Sequence, residues 1–262
     1  MSPTVEFDEA AARGLEAAYL TTDVVEQRCT VLRGLSLEPG QAVLDIGSGP
    51  GLLAAEMAEA VGASGRVVGL DLAQPMLEMA RRRCADRPQV SFEHGDAAHL
   101  PFPPESFDAV VTTQVLEYVP DVPAALAEVW RVLRPGGLAA ILDTDYDSLV
   151  VHVVDAERHA RILDAWDEHF VHAGLPRVLG AELRAQGFRL RHRVAIPIFN
   201  TEYTPSAFSF HLTKLIARFS RGRRAASAQD AAAWLAELES LGRDGRYFFS
   251  LNRYLFVASK PG

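Results

Sequence analysis

The segment VLDIGSGPG, Val43 to Gly51, constrains the fold of this chain more than any other. An apolar run (AVLDI, 42–46) leads straight into a turn with three glycines, and an alanine-rich helical pattern, Leu52 to Val61, follows. Glycine tolerates the left-handed backbone that such a turn needs, and it lets a ligand approach the main chain beside a helix N-terminus. The spacing of Gly47, Gly49 and Gly51 is G-x-G-x-G, whereas the dinucleotide fingerprint needs G-x-G-x-x-G. That mismatch disfavours an NAD-dependent oxidoreductase. Asp45, two residues before the first glycine, would repel a pyrophosphate; it suits bracing the loop or holding an ammonium group.

From Gln41 onward strand and helix patterns alternate. RVVGLD (66–71), VSFEHGD (90–96), FDAVVTTQ (107–114) and LAAILDTD (138–145) read as further strands. A helix opening at Pro75 and an amphipathic helix from Asp121 to Leu133, stopped by RPGG (134–137), separate them. Glu6 to Leu35 reads as one or two lead-in helices, and Ala156–Phe170 and Ala181–Gln186 as later ones. FRLRHRVAIPI (188–198) alternates an arginine face (Arg189, Arg191, Arg193) with Phe188, Leu190, His192 and Val194, as suits a sheet edge. YFFSLNRYLFVAS (247–259) is the last strand. Strands separated by helices make a seven-stranded, mostly parallel α/β sheet with helices on both faces. Two helical patterns split by RGRR (221–224) fill residues 203–242, too long for a turn, and read as an inserted cap. The expected division is a lead-in or lid (1–40), a ligand-binding core (41–145) and a C-terminal completion (146–262) carrying that cap.

The balance of charge narrows the partners. Residues 1–150 carry 23 acidic and 10 basic side chains, whereas residues 151–262 carry 11 and 16. The net charge is −8, and a nucleic-acid binder would show a basic footprint instead. The polar start MSPTVEFDEA does not read as a secretory leader, and no apolar run reaches membrane-spanning length. Two cysteines, Cys29 and Cys84, suit neither a disulfide framework nor a zinc cluster. His169 and His172 share a helix face without an obvious third ligand, so no metal is expected. The expected setting is cytoplasmic, without membrane or nucleic-acid partners, as a monomer or homodimer.

Two further acids follow strands. Asp71 ends the second strand, where a carboxylate can accept from both hydroxyls of a ribose. Asp96, in the GDA turn after the third, can accept from an exocyclic amino group, and Leu72 and Ala97 can flank a purine. Together with Asp45 these suit a ligand with a cationic amino-acid end, a ribose and an adenine.

In VLDIGSGPG (43–51), VVGLDLAQPML (67–77), FEHGDAAHLPFPPESFDAVVTTQVLEYVPD (92–121) and EVWRVLRPGG (128–137), the chain resembles class I S-adenosylmethionine-dependent methyltransferases. The resemblance is to the branch with the ubiquinone and menaquinone C-methyltransferases, and covers about a hundred residues in order. It implies a Rossmann-like fold with an antiparallel last strand and a helical lid, and S-adenosylmethionine as cofactor. Gly47, Gly49 and Gly51 then wrap the methionine end, Asp71 binds the ribose, and Asp96 with Ala97 frames the adenine. Thr113 and Gln114 line the amino-acid end, and Tyr19 closes over the cofactor or packs in the core. Ser48, Met76 and Gly95, within the matching segments, complete the expected cofactor set. The 203–242 insertion departs from the minimal fold, so the quinone substrates do not transfer with the resemblance.

Methyl transfer is an in-line displacement that needs alignment, dryness and sometimes a base. Glu117 and Tyr118, after the fourth strand, are candidates for the reaction centre; Glu117 reads equally as a helix-start or solvent carboxylate. In DTDYD (143–147), a run that often makes a solvated turn, Asp145 and Tyr146 are the preferred substrate contacts. His152 reads as a packed histidine first and a base second. Tyr203, Phe208, Phe210 and His211 open the cap and face either substrate or sheet. RGRR reads as a solvated loop before a phosphate clamp, and Arg81–Arg83 as solvent-facing. The function expected is methyl transfer to carbon, oxygen or nitrogen of a small molecule; the alternative is an inactive cofactor-binding scaffold.

Overall fold

In the computed structural model, which describes residues 9–262, the glycine turn stands at the middle of one seven-stranded sheet. The strands are β1 (Ala42–Ile46), β2 (Arg66–Asp71), β3 (Val90–His94), β4 (Phe107–Thr113), β5 (Leu133–Val151), β6 (Arg189–Asn200) and β7 (Phe249–Ser259). Their order is β3-β2-β1-β4-β5-β7-β6. Neighbours from β3 to β5 pair in parallel, and β7 runs antiparallel to both β5 and β6. The sheet is therefore the Rossmann-like one expected. The start of the lead-in at Glu6 and the stretch read as lacking a leader, to Asp8, lie outside the described residues.

Helices cover both faces. On one, α2 (Thr22–Leu35), α3 (Leu52–Val61) and α4 (Gln74–Arg83) bury Val31, Leu35, Met57, Val61, Leu77 and Ala80 against Val43, Val67 and Val111. On the other, α5 (Val122–Val132) and α7 (Pro176–Ala185) pack Leu126, Val129 and Leu179 against Leu44, Ile46, Val68 and Ile141. Burying such side chains from both faces contributes roughly 25 cal/mol per Å² of apolar area, the main drive to this layering. A third cluster joins α6 (Ala156–Trp166), α8 (Phe208–Ser220) and α9 (Ala228–Arg243) to the ends of β5 and β7, with Trp166, Ile216, Trp234 and Leu238 buried at its centre. The end of α1 (Glu9–Tyr19) joins it through Ala18, with Tyr19 packed at its side. The cap thus draws on the β5–β6 connection as well as on residues 203–242.

Three readings change. The RPGG turn lies within the span of β5, which pairs with β4 from Leu133 across a register shift and continues to Val151. Alternation in β6 breaks at a bulge between Leu190 and His192, so both His192 and Arg193 are exposed. Arg83 is not merely solvent-facing: it donates to Pro50 O at 2.9 Å and pairs with Glu16 of α1. RGRR keeps its reading as a solvated loop, all four residues being exposed; Arg223 and Arg224 are ion-paired with Glu168, and Arg224 also with Asp164, which uses charge a phosphate clamp would need.

Candidate active site

The glycine loop is held from β2. Asp71 accepts from the Gly49 amide through Oδ2 and from the Ala73 amide through Oδ1, both at 2.8 Å. The bracing role open to Asp45 therefore falls to Asp71, whose second lone pairs remain for ribose hydroxyls. Gly47 has φ +69°, and a Cβ there would stand 2.1 Å from Val115 Cγ2, so only glycine fits the passage from β1. Gly51, at φ +77°, turns the chain into α3. Asp45 is 1% exposed, and its Oδ2 has no partner among the described residues. Burial, and the negative charge of Asp71, push its carboxyl up to about 8. Such a group seeks a cation. Ser48 is buried beside it, with its hydroxyl likewise unpartnered.

Around this loop stand the remaining cofactor candidates. Leu72 is 63% exposed just beyond β2, an apolar face held out where a purine could rest. Gly95 bonds Asp71 O at 3.2 Å, Ala97 is buried, and Asp96 sits at the exposed rim with Oδ1 on the Ala98 amide. Met76 is buried on α4. Thr113 ends β4, and Gln114 takes a left-handed backbone at φ 58° while its Nε2 donates to Thr144 Oγ1 at 3.3 Å. A strained non-glycine residue at a strand's carboxyl end is common where a ligand is held. Tyr19 is half-buried, with Cε2 3.9 Å from where a Gly49 Cβ would stand, so it roofs the loop and packs on the cap together. Arg28 fixes that roof, donating to Tyr19 O at 2.7 Å and to Glu56 at 2.8 Å.

Beyond β4 and β5 the acids go inward. Glu117, in a 3-10 turn (Leu116–Tyr118), is fully buried, which overturns its reading as a solvent carboxylate. Its Oε2 accepts from the Thr144 amide at 3.0 Å, and its Oε1 has no partner. Burial raises its carboxyl to about 7 against the pull of that amide and of Arg253. DTDYD is not a solvated turn, since Asp143, Thr144, Asp145 and Tyr146 are all buried in β5. Asp143 accepts from the Val115 and Glu117 amides, and burial beside Glu117 raises it well above the carboxylate range. Asp145 is taken up by Arg177 of α7 at 2.9 Å, which makes it a scaffold ion pair rather than a free substrate contact.

Tyr118 and Tyr146 meet across Phe170, which stacks on Tyr146 at 3.9 Å. The Tyr118 hydroxyl shares a hydrogen bond with His169 Nε2 at 3.3 Å. Burial depresses that imidazole to about 4, so it is neutral. His152 is not packed: it is exposed past the end of β5, its amide bonded to Phe248 O. At the cap's opening, Phe208 is buried, whereas Phe210 rests against Tyr203 and His211.

One residue escaped the sequence reading. Arg253 of β7 is fully buried, opposite Thr144 of β5, with its guanidinium 4.3 Å from the Phe208 ring. Its sign in the sequence is a charge inside the period-two apolar stripe Phe249, Leu251, Leu255, Val257.

The sheet order and the loop after β1 define the class I methyltransferase fold. Residues 44–141 match a family model described as a methyltransferase domain. The 2-phytyl-1,4-naphtoquinone methyltransferase of Thermosynechococcus vestitus is 45% identical over 109 residues, 42% of this chain and 48% of that protein. A demethylmenaquinone methyltransferase of Lysinibacillus sphaericus is 37% identical over 122 residues, 47% and 52% of the two. The chain thus spans about half the length of the curated relatives it matches. A phosphoethanolamine N-methyltransferase 2 from Haemonchus contortus, in complex with phosphomonomethylethanolamine and S-adenosylhomocysteine, shares the fold. Its TM-score is 0.65 at 20% identity, over 98% of this chain and 58% of that one.

Proposed function

We propose that the chain is a methyltransferase that carries the methyl group of S-adenosylmethionine to a small-molecule acceptor by in-line displacement. The observation that carries this reading is the glycine loop braced by Asp71, with the unpartnered Asp45 carboxylate buried beneath it. A passage too narrow for any Cβ at Gly47 and an unpaired acid beside it fit the amino-acid end of that cofactor. In this assignment Asp45 takes the ammonium, with Ser48, Thr113 and Gln114 around it. Asp71 takes the ribose; Leu72, Met76, Gly95, Asp96 and Ala97 surround the adenine, and Tyr19 closes the methionine end. When bound, the cofactor supplies an electrophilic methyl on a sulfonium.

The chain's own part is to orient, dry and deprotonate. Glu117 Oε1 receives the proton that the acceptor loses as its lone pair bonds to the methyl and the C–S bond pair returns to sulfur. A carboxyl raised to about 7 is well matched to that task near neutrality. Tyr118, Tyr146 and Phe170 form a wall for a flat or apolar acceptor, and the neutral His169 holds the Tyr118 hydroxyl.

Quinols are one candidate class, after the relatives' names. The family match ends at Ile141, before α6, α8 and α9, so the cap that selects the acceptor lies outside it. No helix among the described residues is long and apolar enough to cross a membrane. The reading carries with it a cytoplasmic protein, monomer or homodimer, without nucleic-acid partners; analytical ultracentrifugation of purified protein tests the assembly. Calorimetry with S-adenosylhomocysteine, followed by methyl transfer against quinols and other small metabolites, tests the function. A protein that neither binds the product nor forms it has another role.

A further inference from the structure

Arg253 is a fully buried arginine at the cap–core junction, and the assignments above leave its function open. Along one face of β7, Phe249 and Leu251 belong to the cap cluster and Leu255 and Val257 to the core beneath α2. Arg253 stands between them, where the two apolar clusters part. Only Nη1 is engaged, on Gln27 Oε1 of α2. Nε and Nη2 are buried without a partner among the described residues. These two nitrogens share one edge of the planar guanidinium, so two parallel N–H donors lie side by side without a partner among the described residues. Leaving such buried donors unmet forfeits an ionic hydrogen bond at each.

The facing groups show what belongs there. Thr144, directly across on β5, donates its amide to Glu117, whose Oε1 is also unpartnered. The Phe208 ring covers the guanidinium, and Asp23, Tyr19 and Tyr146 complete the surrounding charges and phenols. Asp23 is committed elsewhere, to the Phe208 amide and Asn200. An unmet cationic edge beside an unmet base describes a ligand with an anionic oxygen at one end and a transferable proton at the other. Two parallel donors match a carboxylate, which accepts both in the side-on bidentate form.

The ligand's position points to the acceptor and not the cofactor. β7 lies three strands from β1, about 14 Å at ordinary strand spacing. Its Arg253 lies against Phe208 of the cap helix α8, whereas the cofactor's amino-acid end belongs on the loop after β1. We propose that the Nε and Nη2 edge of Arg253 binds a carboxylate of the methyl acceptor, which is therefore a small organic acid, its flat body against Tyr146. The proposal rests on the methyltransferase reading for the identity of the acceptor pocket.

The test is calorimetric, with benzoate, salicylate and 2-naphthoate as probes, and their primary amides as controls, in saturating S-adenosylhomocysteine. At least one carboxylate should bind the native protein ten-fold or more tighter than its amide. Arg253→Gln should abolish that preference, Arg253→Lys should keep part of it, and both should bind S-adenosylhomocysteine within two-fold of native. Failure of every carboxylate to outbind its amide on the native protein overturns the proposal, and needs no variant to fold. A ten-fold loss of S-adenosylhomocysteine affinity in a folded Arg253→Gln protein overturns it too, because the edge then serves the cofactor's own carboxylate. If S-adenosylhomocysteine does not bind the native protein, the methyltransferase reading falls. The carboxylate–amide comparison, run without it, still decides Arg253.

Discussion

Glu117→Gln should make the protein more stable and less active, and the stability change should depend on pH. In the folded chain the carboxyl rises from its ordinary 4.5 to about 7, chiefly by burial. At about 1.4 kcal/mol for each ten-fold change in protonation, ionising it in place costs about 3 kcal/mol. Below pH about 4.5 the group is protonated in both folded and unfolded chains, so it imposes no penalty. Between about 4.5 and about 7 the unfolded chain gives up the proton first, so native stability falls as pH rises; above 7 the loss is complete. Glutamine keeps a carbonyl oxygen for the Thr144 amide and cannot ionise. Urea unfolding from pH 4.5 to 8.5 should therefore show the variant equal to native at the acid end. At pH 8 it should be more stable by up to about 3 kcal/mol. A variant that is less stable than native at pH 8 would show that the Glu117 charge is already paid for in the fold, refuting its poise as a base. Turnover should drop about 100-fold or more in the variant, and the acid limb near pH 7 should vanish from its rate profile.

Other consequences follow from the same geometry. S-adenosylhomocysteine should displace a proton on binding at pH 7, because Asp45 sits near 8 alone and ionises beside an ammonium; its calorimetric enthalpy should differ between phosphate and Tris, and that difference should vanish in Asp45→Asn. Gly47→Ala combines φ +69° with a clash against Val115 and should cost about 2 kcal/mol or more along with cofactor binding; Val115→Ala in the same chain should restore part of the stability, and an unaffected melt would contradict the close approach. Asp23→Ala removes the carboxylate that caps α8 from α2 through the Phe208 amide at 3.1 Å; about 1 kcal/mol of stability should go, with faster amide exchange confined to 208–213, and exchange unchanged there would mean the cap is held by other contacts.

What the sequence made legible follows local rules. The bounds of β2 and α3 coincide with the residues read for them, because an apolar run stopped by Asp71 and a helix opened by Gly51 are written in adjacent residues. The loop, Asp71 and the edge position of β6 were legible for the same reason. DTDYD was not: three carboxylates in five residues look solvated, and only the turn at Leu116–Tyr118, the segment around Phe170 and Arg177 put Asp143 and Asp145 under cover, while Asp147 stays exposed. His152 failed in the opposite sense, since its apolar neighbours in LVVHVV lie at a sheet end that leaves Val150 and Val154 exposed too. Arg253 depends on Gln27 and Phe208, 226 and 45 residues away, and no spacing rule joins such distant positions.

The place of β7 has a consequence for how the molecule is made. It follows the other six strands in sequence, yet it lies between β5 and β6. During synthesis the five-stranded parallel part and its glycine loop can assemble while β6 still has no neighbour. The cap helices meanwhile hold a cluster whose floor, Phe249 and Leu251, has not emerged. A ribosome-bound intermediate should therefore hold the assembled glycine loop before the cap closes on the sheet, with a bare strand edge and an apolar cap surface exposed for as long as the β7 residues take to appear. Chaperone dependence, if this chain shows any, should centre on that interval.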